Sequence, residues 1–366
     1  MLMTDNPIIC ICGGGNLAHV VGGYLAAEKH SHVRLLTRRP SIWCPNGTPL
    51  LVTDGNGKEY LGRFEIITDD AQDAVTDADI VLLCLPGFAI ADTLKQVAPF
   101  LSPNTMVGSI VSSTGFFPMA YSLLPPGTAL FGFQRVPFIA RIIEYGTKAA
   151  LLGYKPSLTL ATDNIPCPQI LAELFAELFH IPVSLLDNYL EATLTNSNPI
   201  LHPSRLFCLF ADNHSTYDTR PLFYEDWDNK SSDVLISCDK EFQQVLLALS
   251  IPEGRVPDIL TYYDSTDAAS LTHKLRSIEA FRGLLTPMVQ IEGGRYKPDF
   301  QNRYFTEDIP FGLLLIKAYA VKAHVPTPTI DTILRWAETF LHKQYFSSTG
   351  TLSGCDLPNT IVPFVL

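Results

Sequence analysis

Ile8-Ile9-Cys10-Ile11-Cys12-Gly13-Gly14-Gly15-Asn16-Leu17-Ala18 decides the fold of this chain, because an apolar strand breaks directly into a glycine turn and a helix start. That succession makes a phosphate cradle. Gly13 takes the tight turn, Gly15 lets the backbone approach a pyrophosphate without a Cβ in the way, and Ala18 is small enough for close helix-strand packing. The free amides of the helix start then face the anion. Gly13, Gly14, Gly15, Asn16, Leu17 and Ala18 are therefore the expected dinucleotide-binding segment; the plain alternative is a structural glycine turn.

The helix continues through Tyr24, Leu25, Ala26 and Ala27. After the polar stretch Lys29 to His32, the run Val33-Arg34-Leu35-Leu36-Thr37 reads as a second strand, completing β-α-β in about thirty residues. An NAD enzyme usually ends this strand with Asp or Glu on the ribose hydroxyls, whereas this chain has Thr37, Arg38 and Arg39. An arginine can pair with a 2′-phosphate that a carboxylate would repel. Thr37 and Arg38 thus favour NADP, with NAD possible because an arginine can also stack on adenine.

At 366 residues the chain is long enough for two domains. A net charge of −11 and a pI near 5.2 argue against a nucleic acid or an anionic membrane surface as main partner. Small anionic substrates stay open, since a local arginine cluster overrides the global sign. The eight cysteines include no CxxC pair, and Cys10, Cys12 and Cys84 fall in apolar strand patterns, which suits a reducing cytoplasm. The N-terminus lacks a basic n-region, and the apolar runs around Pro86 and Lys317 stay below membrane-spanning length. The expectation is a soluble, cytoplasmic protein without a metal site, and a homodimer is open.

Ala78 to Pro86 reads as a further buried parallel strand, whose end places Leu85 and Pro86 beside the cofactor. Met106 to Val111, Ala129 to Phe133, Ala149 to Leu152 and Ser157 to Ala161 extend the sheet. Cys167 to Phe179 is helical, and a short strand near Val183 to Leu185 closes the domain. After Asp187 the pattern turns helical in Asn188 to Phe210, Ser231 to Leu249, Leu271 to Leu275, Pro310 to Ala323 and Thr329 to Lys343. The expected architecture is a Rossmann-type doubly wound parallel sheet over residues 1–187, followed by an α-helical domain over 188–366. Catalysis is expected in the cleft between them, with closure excluding water.

Two segments of the second domain could carry chemistry. In Asn196-Ser197-Asn198-Pro199-Ile200-Leu201-His202-Pro203, His202 lies four residues after Asn198 and shares its helix face. Histidine suits proton transfer near neutral pH, although a lone one is usually structural. In Asn302-Arg303-Tyr304-Phe305-Thr306-Glu307-Asp308-Ile309-Pro310-Phe311-Gly312-Leu313, the acidic pair before Pro310 also looks like an ordinary helix start. Spacing does not separate these readings.

Taken together, the Rossmann start, Asn-Pro-x-x-His-Pro at Asn198 to Pro203 and Arg-Tyr-Phe-Thr-Glu-Asp-Ile-Pro-Phe-Gly-Leu at Arg303 to Leu313 resemble the octopine/nopaline (opine) dehydrogenase family. Val136-Pro137-Phe138-Ile139-Ala140-Arg141 and Val325-Pro326-Thr327-Pro328 are similar to further family stretches. The resemblance implies reductive condensation of an amino acid with a 2-oxo acid through an imine, with hydride from a nicotinamide. It implies that His202 is the catalytic histidine and Asp308 its carboxylate partner, fixing the tautomer and stabilising the charged ring. It further implies that Arg303 holds a substrate carboxylate and that Asn198 hydrogen-bonds the substrate. Phe133-Gln134-Arg135 departs from the family pattern: Arg135 is either a surface charge or the mark of a different acidic substrate.

Two other readings stand beside this one. A direct carbonyl reductase of the ketopantoate reductase or glycerol-3-phosphate dehydrogenase type shares the N-terminal domain but uses an active-site lysine, and no equivalent lysine motif is present. A non-catalytic NADP(H) sensor would bind the cofactor without turnover. Neither amino acid nor oxo acid is named by the residues.

Overall fold

The structure is a computed structural model that describes residues 6–27, 32–194, 198–212, 216–352 and 356. Residues 29–31 of the polar stretch, and Asn196 and Ser197 of the histidine segment, lie outside the described residues. The chain divides into two compact units, Met1–Thr193 and Leu194–Leu366.

In the first unit, β1 (Ile8–Cys12) leads into α1 (Asn16–Leu25) and β2 (His32–Leu36). There follow β3 (Leu50–Asp54), β4 (Glu59–Gly62), β5 (Ile66–Thr68), α2 (Ala71–Val75), β6 (Ile80–Leu83) and α3 (Gly87–Val97). Next come β7 (Met106–Ile110), α4 (Phe116–Leu123), β8 (Ala129–Phe133), β9 (Phe138–Glu144), β10 (Lys148–Tyr154) and β11 (Leu158–Asp163). α5 (Pro168–Phe179), β12 (Val183–Leu185) and α6 (Tyr189–Thr193) complete it.

Eight of these strands form one sheet in the order β12-β11-β8-β7-β6-β1-β2-β5. It is parallel except where β11 runs antiparallel to β8. All four residues of β6 and all five of β7 are buried, as strands covered on both faces must be. Strand order reverses at β1, with β2 on one side and β6 on the other. Cys12 and Leu83 are register partners there, so the glycine turn and Leu85-Pro86 flank one crevice at the carboxyl ends.

Ala149 to Leu152 does not extend this sheet. β10 pairs with β3 and β9 in a separate four-stranded sheet, β4-β3-β10-β9. Its burial gives the reason: Ala149 and Leu151 are buried while Leu152 is exposed, the pattern of a one-sided strand. The inner face lies on α1, where Leu50 and Val52 fill the space over Gly23.

The first unit ends later than residue 187. Tyr189 packs its ring on Phe117 and Tyr121, at centroid distances of 4.9 and 5.5 Å, and Gln134 Nε2 donates to the Glu191 carbonyl at 2.8 Å. α6 therefore belongs with the sheet, and the expected helix 188–210 is two pieces.

The second unit contains α7 (Asn198–Phe210), α8 (Asn229–Ala248), α9 (Ile259–Tyr262), α10 (Ala268–Ser277), β13 (Met288–Gln290), β14 (Tyr296–Pro298), α11 (Arg303–Thr306), α12 (Leu314–Lys322) and α13 (Pro328–Leu341). It is mainly helical but carries the β13-β14 ribbon between α10 and α11, with Tyr217 bridged to Tyr296. α8 begins where Asp228 accepts the Ser231 N–H at 2.8 Å. Buried Arg205 of α7 donates through Nη1 to Asp228 and Ser231, each at 3.0 Å, and through Nη2 to the Asp226 carbonyl. A guanidinium fork thereby fixes the end of the 216–228 loop to α7. Among the described residues no helix is long and apolar enough to cross a membrane.

Candidate active site

Two chain segments in the second unit carry His202 and Asp308, and a third, Phe223-Tyr224, packs on the histidine. α7 starts at Asn198-Pro199, with proline at a position whose N–H would have no helical partner, and one turn later it presents His202. α11 is capped by Asn302, whose side chain accepts the Tyr304 N–H at 3.1 Å. Its continuation is a π-helical turn, Ile309–Leu313, in which the Leu313 N–H reaches back to the Asp308 carbonyl at 2.8 Å. Such a widened turn often re-aims a side chain at a functional site. Gly312 lets this turn approach α7: a Cβ there would lie 2.9 Å from Pro199 Cβ.

The outcome is that His202 Nδ1 and Asp308 Oδ2 are 2.7 Å apart. An ionised carboxylate only accepts, so Nδ1 carries the proton and Nε2 is the acceptor of the neutral ring. Nε2 is taken by the Tyr224 hydroxyl at 2.8 Å. Tyr304 stacks on the imidazole at 3.9 Å and 19°, and Phe223 packs edge-on at 5.6 Å. His202 is 4% exposed and Tyr224 is 3% exposed. Tyr224 itself stacks on Phe281 at 4.0 Å and 16°. Burial, with the phenol of Tyr304 and the charge of Asp308 nearby, pushes the Tyr224 hydroxyl far up, so it stays protonated. Burial also raises Tyr304, opposed by its hydrogen bond to Tyr224 and by Arg303.

The structure therefore brings His202 and Asp308 together across 106 residues of chain. Arg303 and Asn198 are exposed at the starts of α11 and α7, Arg303 close enough to Tyr304 for its charge to act on the phenol. Arg135 is half-buried just beyond β8. Tyr224 and Tyr304 were not singled out by the sequence. Tyr304 sits inside the Arg303 to Leu313 segment and could have been found there, whereas nothing in the spacing of the 216–227 loop marks Tyr224.

The residues of the first unit fit a dinucleotide. Gly13 has φ +145°, and a Cβ there would lie 2.7 Å from the Cys84 carbonyl oxygen, so the turn needs glycine. A Cβ on Gly15 would meet nothing within 4 Å, and α1 has neither a side-chain cap nor an acidic residue in its first turn. Its amides are thus left to an anion. The Asn16 side chain is spent elsewhere, accepting the Ile142 N–H at 2.8 Å. Leu17 is half-buried, Ala18 packs against the turn, Thr37 is buried beside Gly14, and Leu85 and Pro86 are half-buried. Arg38 is exposed, while Arg39 lies over the Tyr145 ring at 4.4 Å. The Tyr145 hydroxyl stands against Gly14, a neighbour the sequence did not reveal.

Residues 185–341 match the family model of the NAD/NADP octopine/nopaline dehydrogenase alpha-helical domain, and residues 9–114 match that of Ketopantoate reductase PanE/ApbA. The chain is 30% identical to octopine dehydrogenase of Mizuhopecten yessoensis, over 97% of this chain and 95% of that protein. It is 28% identical to tauropine dehydrogenase of Arabella iricolor, over 97% and 96%. A solved structure of octopine dehydrogenase with NADH and L-arginine superposes with a TM-score of 0.83 at 29% identity, covering 96% of this chain and 93% of that one. The chain belongs to the octopine/opine dehydrogenase family. It is accordingly an oxidoreductase with a nicotinamide-binding Rossmann-type domain and an α-helical second domain.

Proposed function

We propose that this enzyme joins the amine of an amino acid to a 2-oxo acid and reduces the resulting imine, preferring NADPH to NADH. The observation that carries this reading is the Asp308 carboxylate on His202 Nδ1 at 2.7 Å, in the two segments that resemble the opine family. Asp308 fixes the tautomer and stabilises the imidazolium, so His202 can take a proton from the substrate ammonium and return it to the departing oxygen. Exposed Arg303 presents a planar fork for a substrate carboxylate, and exposed Asn198 at the start of α7 is the hydrogen-bonding neighbour of the substrate. The nicotinamide, held by Gly13 to Ala18 with Thr37, Leu85 and Pro86, supplies the hydride when bound.

The preference for NADPH rests on Thr37, Arg38 and Arg39 standing where a carboxylate would hold the ribose of NADH. The solved octopine dehydrogenase carries NADH, so the two cofactors have to be compared directly. The test follows reduced-nicotinamide absorbance for both cofactors, with pooled amino acids and pyruvate, 2-oxoglutarate or glyoxylate, for the wild type and His202→Ala. Amine-dependent oxidation lost in His202→Ala is the expected result. Oxidation by an oxo acid without amine would replace this reading with direct carbonyl reduction, and tight binding without oxidation would replace it with a sensor.

A further inference from the structure

Both nitrogens of His202 are committed: Nδ1 to Asp308 at 2.7 Å and Nε2 to the Tyr224 hydroxyl at 2.8 Å. One face of the ring is closed by Tyr304 at 3.9 Å. A proton therefore reaches or leaves Nε2 only through the Tyr224 oxygen, unless that ring moves. Movement is opposed on three counts. Tyr224 is 3% exposed, it lies flat on Phe281 at 4.0 Å and parallel to Trp227 at 8°, and the neighbouring backbone of Asp226 is held by Arg205. A phenol oxygen has two lone pairs, so besides its hydrogen bond with Tyr304 the Tyr224 hydroxyl can accept one proton while donating another, and no ring motion is needed for transfer.

We infer that Tyr224 is a further catalytic residue, the hydroxyl through which His202 exchanges protons with the substrate. This rests on the opine-type reading above. In the first step the substrate ammonium gives a proton to the Tyr224 oxygen as the Tyr224 O–H proton moves to Nε2. The freed amine lone pair attacks the carbonyl carbon, a C–N bond forms and the C=O π bond opens onto oxygen. The oxygen collects one proton from the nitrogen and a second from Tyr224, which is refilled from Nε2, and leaves as water as the C=N bond forms. His202 is neutral at the start and at the end, and the C=N bond so formed would be the acceptor for the hydride that a bound nicotinamide supplies.

Tyr224→Phe removes one oxygen and keeps the ring on Phe281. The expected result is a fall in kcat of roughly 10²-fold or more, with cofactor affinity unchanged. His202→Ala and the double variant should be about equally slow, as groups acting in one unit are not additive. The wild-type proton inventory in mixed H2O and D2O should be curved, from two protons in flight, and that of Tyr224→Phe linear. Wild-type kcat and a curved inventory in Tyr224→Phe would overturn the relay and leave Tyr224 as packing. Faster turnover in Tyr224→Phe would overturn it in favour of a blocking phenol that substrate displaces. A wild type active on oxo acids without amine would overturn the opine-type reading alone, and the same Tyr224→Phe comparison on that reaction would then decide the relay.

Discussion

His19 Nε2 accepts the backbone N–H of Gly146 at 2.9 Å, while its Nδ1 donates to the Gly15 carbonyl at 2.9 Å. One neutral imidazole thus ties the glycine turn to the tip of the β9-β10 hairpin, between the rings of Trp43 and Tyr145. Burial lowers its pKa to about 4, against the hydrogen bond to Gly15 that would raise it. Between pH 6.5 and about 4 the unfolded chain binds a proton that the native one refuses. The stabilisation is complete above pH 6.5 and is lost as pH falls, by about 2 kcal/mol at pH 5. His19→Gln should flatten the decline of unfolding temperature with acidification that the wild type shows over this window. An identical slope in both proteins would show that His19 is charged in the native state.

Asp239 in the second unit has the opposite sign. Burial raises it to about 6, although it accepts the Ile259 N–H at 2.8 Å. Because the native carboxylate takes up a proton before the unfolded one does, its cost is largest above pH 6 and is relieved as pH falls toward 3.8. Asp239→Asn keeps an acceptor for Ile259 and removes the charge. It should stabilise by about 1–2 kcal/mol at pH 7, a gain that disappears near pH 4 in denaturant titrations.

Gly312→Ala places a methyl group 2.9 Å from Pro199 and pushes the π turn away from α7. We expect a loss of about 1–3 kcal/mol in stability from overpacking. The displacement acts on the His202 and Asp308 contact, so kcat should fall about tenfold or more at a temperature where the variant is folded. Unchanged kcat in a destabilised variant would show that the pair tolerates the shift.

Arg38→Ala should weaken NADPH about tenfold and leave NADH unaltered, the cost of one charged pairing with a 2′-phosphate. Arg39→Ala removes the cation from the Tyr145 ring and should weaken both cofactors to a similar degree. Dissociation constants from nicotinamide fluorescence separate the two roles.

The large sheet was legible because β1, β6 and β7 are buried on both faces, β1 and β6 reading as unbroken apolar runs and β7 as an apolar run interrupted by Gly108 and Ser109. The second sheet was not. β3 and β4 are short strands joined across Gly55-Asn56-Gly57, and β10 shows the one-sided burial that a main-sheet assignment overlooks. His202 and Asp308 could be named only through the resemblance of their two segments to the opine family, because the residues alone leave a structural histidine and an ordinary helix start open. Tyr224 could not, because its place at Nε2 comes from the Arg205 clamp and the Phe281 stack, both long-range packing effects.

The hairpin tip has a practical consequence for anyone who would re-engineer this enzyme. The turn after β2 supplies Arg38 and Arg39, but the ring on which Arg39 rests belongs to Tyr145, on a strand pair of the other sheet. A segment exchange confined to the β2 end would import a new side chain onto an old platform. On the proposed role of residues 37–39 in nucleotide choice, changing that choice calls for a two-part graft, with residues 37–39 and the β9-β10 tip moved as a matched set and His19 retained as the tie between them.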